Sequence, residues 1–485
     1  MSGRQAAEDR REQGPQVRPR PSGALARTLA QMGATLAVGG RDARLLLAAR
    51  VLMSAQRALV GVVAPIYLAR RGLSGTEVGM LFSAVGLAGA AISAIVGFGA
   101  DRFGRKPFVV YVPLLAAGAG FVFAFVGATG ALFAAAAIGS FGRGSGAGAG
   151  MVGPYQPAEQ ALLAGLVDDR SRPRLFANIA SASALGGLLG AVLAASPLTQ
   201  AASGPAGTGT YRDAFLVAAL LALLTALLAM PVREGRRPAR QQRGEDARSR
   251  APRRLSAPAR SLVLRLAATN TVNGLAVGLF GPFVSYWLYR RFGAGPSTIG
   301  LLYIAANVVT IMTNQLATPL ARRHGMVRTV VIARMLQALL LIPLALSPSL
   351  YVAGALYSLR LVAQRIGLAL RQTFVMSAAP ESERAKVAAL SQLPMQGASA
   401  TAPTLAGYLF DAVGLAVPFE IAGVLQLINA GLFQWFFGRA AKADGEGASK
   451  PPRASPIGRE QLPAAGRILT GEEDTGELTL PEGGR

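Results

Sequence analysis

Gly97-Phe98-Gly99-Ala100-Asp101-Arg102-Phe103-Gly104-Arg105-Lys106-Pro107 is the stretch that decides the fold. A strongly apolar segment, Val78 to Ala100, runs into it and another, Phe108 to Val126, leaves it, so it reads as a tight charged loop between two membrane helices. Its basic residues place it on the cytoplasmic side. Asp101 stands at the C-terminal end of a helix, where the macrodipole is already negative, so its carboxylate calls for an external partner. Arg102, Arg105, Lys106 or the N-terminus of a neighbouring helix could serve. Gly97 and Gly99 would let a second helix approach closely, and Gly104 permits a backbone conformation that most residues avoid. The loop reads as a latch between two bodies that move. A plain positive-inside loop would account for the cations, but for neither the Asp nor the glycine spacing.

Working outward, long apolar segments fill most of the chain. They fall at about 45–68, 77–100, 107–127, 131–166, 174–197, 212–232, 261–289, 297–321, 327–347, 350–378, 385–409 and 416–437, twelve in all. The fourth is too long for an untilted span, and its run Gly142 to Pro157 implies a bent helix. The sequence divides into a disordered basic tail (1–43), an N-terminal six-helix bundle (44–232), a basic cytoplasmic linker (233–260), a C-terminal six-helix bundle (261–438) and a disordered tail (439–485). No secretory leader is expected, since the first apolar run begins only near Leu45.

The formal net charge is +24, yet nucleic acid is not the expected partner. The arginines sit in short loops and tails, facing anionic headgroups. One side of the membrane receives Arg102, Arg105, Lys106, Arg170, Arg172, Arg174, the linker, Arg322, Arg323, Arg328, Arg384 and Lys386. The other receives only Arg70, Arg71, Arg212, Arg290 and Arg291, so both termini are expected in the cytoplasm of a bacterial inner-membrane protein. With no cysteine and one histidine, His324, neither a disulfide nor a Cys/His metal site is expected, and no cofactor.

The halves repeat. Gly61 and Pro65 match Gly278 and Pro282, Arg70-Arg71 match Arg290-Arg291, Gly79 matches Gly300, and Gly104 matches Gly325. Arg322 stands in the second copy where Asp101 stands in the first, so the carboxylate latch is expected on one half only.

The opening stretch resembles the signature loop between the second and third helices of the major facilitator superfamily, which reads Gly-x-x-x-Asp-Arg-x-Gly-Arg-Lys/Arg. That resemblance implies an all-α membrane fold of twelve helices in two six-helix bundles, with a substrate site between them near the midplane. The chain from Arg143 through Pro154, Leu162 and Val167 to Arg170 resembles the fourth helix of proton-coupled exporters in that family, with Gly146 where the family has Gln. Gly186-Gly187-Leu188-Leu189-Gly190 is a partial copy of the fifth-helix pattern of its drug/proton antiporters. The twelve-helix antiporter-type exporters are therefore the nearest resemblance.

Charges inside membrane helices are expensive and usually functional. Arg50 and Arg57 lie two turns apart on one face beside Gln56. Arg360, Gln364, Gly367 and Arg371 form a stripe with Arg365 at its margin, and further polar faces carry Asn270 and Asn273, then Asn307, Thr310 and Asn314, then Gln392, Gln396 and Ser399. Arg57, Arg143, Asn273, Asn307, Arg360, Gln364 and Gln396 are the candidate cavity residues. For Arg50, Arg371 and the amides there is a second reading, in which they snorkel to headgroups or bond neighbouring helices. Glu159 is the intramembrane acid and the candidate proton carrier, since apolar surroundings favour the neutral carboxyl. Its alternative is a carboxylate at the cytoplasmic rim paired with Arg170 or another loop arginine. Asp213, Asp411 and Glu420 fall near the external ends and are expected to be solvated.

These features predict a monomeric secondary transporter of small organic solutes, with proton-coupled efflux of a neutral or anionic compound expected and organic-anion uptake as the alternative. A membrane enzyme would need a carboxylate pair, a metal cluster or an activated nucleophile, and a sensor would need a soluble domain. Neither signal is present in the sequence. If the latch reading holds, Asp101→Asn leaves the protein folded and lowers transport in proteoliposomes; normal flux in that variant would remove the latch.

Overall fold

The computed structural model describes residues 40–141, 153–167, 172–199, 211–234, 255–313, 317–380 and 383–447, and all regular structure among them is helical. The N-terminal half contributes α1 (Arg41–Arg70), α2 (Gly75–Phe103), α3 (Lys106–Phe125), α4 (Thr129–Gly139), α5 (Gln156–Gly165), α6 (Arg172–Ala195) and α7 (Tyr211–Ala229). The C-terminal half contributes α8 (Ala257–Phe280), α9 (Val284–Phe292), α10 (Pro296–Thr313), α11 (Ala317–His324), α12 (Met326–Ala345), α13 (Leu350–Ala378), α14 (Arg384–Ala412) and α15 (Val417–Gly447). The described residues up to Ala441 form one compact unit.

Eight of these helical stretches are long and apolar enough to cross a membrane. The other four expected spans are helical too, for separable reasons. The fourth is broken, because α4 ends at Gly139 and α5 starts at Gln156, so among the described residues it is not the single bent helix expected from 131–166. The eighth is shorter as described, Pro296–Thr310. In α13 the arginines 360, 365 and 371, and in α14 the amides and hydroxyls between Ser391 and Thr404, lower the hydrophobicity.

Local chemistry fixes the ends of the helices. A reciprocal capping box starts α2, with the Ser74 side chain accepting from the Glu77 N–H and the Glu77 carboxylate accepting from the Ser74 N–H at 2.8 Å. Pro107 sits in the first turn of α3, where its missing N–H costs nothing. The matched glycines of the repeat turn the chain in matched ways. Gly104 and Gly325 have φ of 86° and 80° before α3 and α12, and Gly72 and Gly293 have φ of 82° and 65° after Arg70-Arg71 and Arg290-Arg291. The copies differ at their prolines, since α1 runs unbroken through Pro65 while Pro282 lies in a 3-10 turn, Gly281–Phe283, between α8 and α9.

The halves meet through two equivalent pairs, α2 against α14 and α6 against α10. Helices in lipid gain nothing from leaving water, so close packing of small residues must hold them. At the contact, a Cβ on Gly79 would collide with the Pro403 carbonyl and one on Gly407 with the Gly75 carbonyl. Gly300 lies equally close to Ala191 and Ala194. All these contacts sit at the ends of the helices remote from the Gly97–Pro107 loop. Towards that loop α2 becomes exposed on several sides, including Ile95 and Gly97, as does α14 at Leu390 and Leu393. Among the described residues, the close contacts between the halves named here therefore lie at the end remote from that loop.

Gly79→Leu, which forces overpacking at this contact, is expected to cost roughly 1–3 kcal/mol and to lower the thermal unfolding midpoint. An unchanged midpoint would show that the halves do not press together there.

Candidate functional site

The interior of the N-terminal half is built around Arg50. Gly186 and Gly190 of α6 bring that helix against the backbone of α1 at Val51 and Ala55, too close for a Cβ at either glycine. This approach carries Ser183 to Arg50, whose Nε donates to the Ser183 Oγ at 2.7 Å. From the first turn of α5, where the helix dipole favours an anion, Glu159 meets the same guanidinium, with Arg50 Nη1 2.5 Å from Oε2. The two side chains are 1% and 2% exposed. Of the two sequence readings of Glu159 neither named this partner. It is not a rim carboxylate but the one buried acid among the described residues. Arg50 correspondingly does not snorkel.

Arg57, two turns further along α1, lies against Gly153, where a Cβ would come within 2.5 Å of Nη1. Gly153 has φ of 111°, so both its conformation and its missing side chain make room for the guanidinium. The Tyr155 hydroxyl is buried nearby without a hydrogen-bond partner. No carboxylate lies within ion-pair distance of Arg57 among the described residues. Arg143 lies outside them.

In the C-terminal half Arg360 is buried, with its guanidinium 3.9 Å above the centre of the Phe280 ring. Its Nη2 donates to Gln364 Oε1 at 3.3 Å, one turn along α13, while its Nε finds no partner. The amides divide. Asn273 is half-buried and its carbonyl accepts from Gln426 and Asn429 of α15 at 3.1 and 3.3 Å, so this side chain bonds a neighbouring helix. Asn307 donates to the Tyr303 carbonyl of its own helix at 2.9 Å. Gln396 is exposed on α14, and Asn314 falls outside the described residues. Of the seven candidate cavity residues, the structure thus brings Arg360 and Gln364 together, engages Asn273 and Asn307 in helix-to-helix or helix-internal bonds, and leaves Gln396 apart.

At the signature loop the Asp101 backbone lies in the last turn of α2, which ends at Phe103, and its side chain lies outside the described set. Among the described side chains, Glu234, just after α7, brings a carboxylate to the loop. It accepts from the Arg105 N–H at 3.0 Å and the Lys106 N–H at 3.3 Å, satisfying orphan donors at the start of α3. A Cβ on Gly104 would sit 2.8 Å from that carboxylate, so the glycine admits it. Arg105 reaches across to the Ala161 carbonyl of α5 at 2.8 Å, while Arg102 is exposed beside Phe103. Gly99 packs against the Phe108 ring as expected of a small residue, but nothing lies within 4 Å of a Cβ on Gly97, so that glycine seats no neighbouring helix here.

At the opposite end, Asp411 of α14 is not merely solvated. Its carboxylate accepts from the Gly75 N–H at 2.9 Å, the Thr76 N–H at 2.7 Å and the Thr76 hydroxyl at 2.7 Å, joining the halves at the N-terminus of α2. One helical turn or more inward, Thr404 of α14 donates to the Ser83 hydroxyl from its N–H at 3.1 Å. Ser285 of α9 donates to the Gly61 carbonyl of α1 at 3.0 Å. Sequence reasoning read Asp411 as solvated and missed Glu234, Gln426 and Asn429, although Gln426 and Asn429 sit one turn apart in an apolar segment and carried a signal. No group of three or more His, Cys, Asp or Glu that could hold a metal occurs among the described residues.

Comparison with known proteins gives a consistent result. The sequence profile of the Major Facilitator Superfamily matches residues 46–269 and again 266–471. No curated protein sequence matches significantly. Among solved structures, a D-xylose-proton symporter superposes with a TM-score of 0.61 at 18% identity, covering 81% of this chain and 96% of that one. The nucleoside transporter NupG gives 0.59 at 15% identity, covering 81% and 99%. A bacterial homologue of the human lysosomal transporter Spinster, in an inward-facing and occupied conformation, gives 0.60 at 15%, covering 83% and 97%. At these identities the likeness is one of fold.

Breaking the buried pair tests the site. Glu159→Leu or Arg50→Leu alone should each destabilise by roughly 3–5 kcal/mol, because each strands a charge, while the double apolar replacement costs much less. Equal midpoints for single and double variants in thermal unfolding would refute the pairing.

Proposed function

From the premise that the chain belongs to the major facilitator superfamily, and is therefore a multi-pass membrane transporter and not an enzyme, we propose proton-coupled efflux of a small neutral or anionic organic compound by alternating access. The observation that carries this reading is the charge inventory of the described interior. Arg360 is buried and Arg57 half-buried, in opposite halves and without a carboxylate at ion-pair distance among the described residues, and the one buried acid described, Glu159, is already neutralised by Arg50. A cationic solute entering such a cavity would meet repulsion that little water screens. An anionic or strongly hydrogen-bonding solute would find the orphan Nε of Arg360 and the half-exposed amide of Gln364.

Glu159 is the proposed proton carrier. Protonation would weaken the hold of Glu159 on Arg50, loosening α5 from α1, and so tie proton occupancy to helix packing in the N-terminal half. Asp411, Ser83 and Thr404 hold the halves together at the end remote from the signature loop, and in this reading the loop end is the open one. With the basic loops in the cytoplasm, that arrangement is the inward-facing state. Asp101 and Glu234 are proposed to act in the opposite state and in this one, respectively, at the cytoplasmic gate. A second reading, uptake of an organic anion on Arg57 and Arg360, rests on the same charge inventory and differs in direction.

The test is the thermal unfolding midpoint of the purified protein against anionic, neutral and cationic solutes, since a ligand that binds only the folded state raises it with the logarithm of occupancy. Stabilisation by organic anions that vanishes in Arg360→Ala is expected. Stabilisation by lipophilic cations, unchanged in Arg360→Ala, would overturn the charge argument.

A further inference from the structure

A second cationic centre lies about three helical turns along α13 from Arg360, where that helix meets α12. Arg334 and Arg371 are 7% and 3% exposed, and each interacts with no carboxylate among the described residues. The helices pass closely where Gly367 faces Ala333. They are antiparallel, and side chains lean towards the N-terminus of their own helix. Arg334 therefore leans towards Met326 and Arg371 towards Leu350, so the two side chains lean along their helices towards one another, and Arg334 feels the charge of Arg371.

The surroundings do not neutralise them. Arg371 Nη2 donates to the Asn270 carbonyl oxygen, whose amide nitrogen is spent on the Ser391 carbonyl at 2.5 Å. The Phe433 ring covers one side of Arg334 at 5.4 Å. Among the described residues, Arg334 Nη1 and Arg371 Nε are buried N–H donors without a partner. Two like charges with orphan donors in a desolvated layer are costly on both counts, and an oxyanion removes both costs together. The sequence reading took Arg371 as a stripe residue or a snorkelling cation and did not single out Arg334.

We propose that Arg334 and Arg371 form a binding site for a single phosphate-type oxyanion, separate from the solute cavity. The site lies about two helical turns from the Met326 and Ala378 ends. Ile332, Met335 and Leu336 of the same helix are exposed, so it is one layer from the outer surface of the bundle. The phosphate can thus come from an anionic lipid headgroup or from solution, by the same chemistry.

The full-length protein in neutral detergent and low salt is melted with increasing inorganic phosphate, and separately with added phosphatidylglycerol or phosphatidylcholine. A midpoint raised by several degrees with phosphate supports a soluble anion. A rise with phosphatidylglycerol alone, and none with phosphatidylcholine, supports a lipid headgroup. In either case the response is lost in Arg334→Leu, which removes one of two repelling charges and melts no lower than wild type without anion. Arg371→Gln, which keeps a donor for Asn270, gives the same loss should the first variant fold poorly. Arg360→Ala keeps the response, so failure of the solute reading and failure of this one are distinguishable. No response in wild type, or a response that survives in Arg334→Leu and Arg371→Gln, overturns the site.

Discussion

Gly75, Gly79 and Gly407 let α2 and α14 meet backbone to backbone, and the relation between the two halves depends on that contact. In lipid, a helix pair is not driven together by water, so association rests on dispersion and on polar groups that find partners. The glycines supply the first. Asp411 on the N-terminus of α2 and Ser83 with Thr404 supply the second. The equivalent pair, α6 with α10, repeats the small-residue part at Gly300. Two such seams, related by exchanging the halves, can close one end of a central space while the other end stays apart.

Inside each half the forces are different in kind. Arg50 and Glu159 are removed from water together, and the pair persists because Ser183 takes a further donor and the dipole of α5 favours the carboxylate. The C-terminal half has no such acid among its buried, described residues and disperses its cations over ring faces and amides: Arg360 on Phe280, Arg334 near Phe433, Arg371 on Asn270. Its amides close on themselves, with Asn273 bridging to Gln426 and Asn429. The asymmetry between the halves is chemical more than architectural.

The architecture was legible in the sequence because it is written in local terms. Apolar runs give spans, and the matched Gly104 and Gly325 have φ angles that agree within 20°. Partners were not legible. Glu159 could be recognised as costly, yet its mate lies 109 positions away on α1, and only the register set by Gly186 and Gly190 brings Ser183 to the same guanidinium. Asp411 and Glu234 looked solvated or incidental because a helix N-terminus offers N–H groups that no side-chain pattern reveals. Gly97 failed in the opposite direction. Its place in a motif suggested a helix contact, but its surroundings in this state are open.

The strengths of these interactions suit their places. A carboxylate on exposed N–H groups at a helix start is worth of the order of 1 kcal/mol, since water competes for both partners. Asp411 and Glu234 are both of this kind, and both are bonded to backbone atoms, so releasing them strands no buried charge. Separating Arg50 from Glu159 would strand two. A structure that exchanges two conformations needs contacts at its ends weak enough to break one at a time, and halves stiff enough that the motion is not absorbed within them. Exposed carboxylate caps at the ends and a desolvated ion pair within the N-terminal half meet both requirements. Protonation of Glu159 is the one chemical event that would soften the second class of contact, because it removes the charge that makes separation expensive.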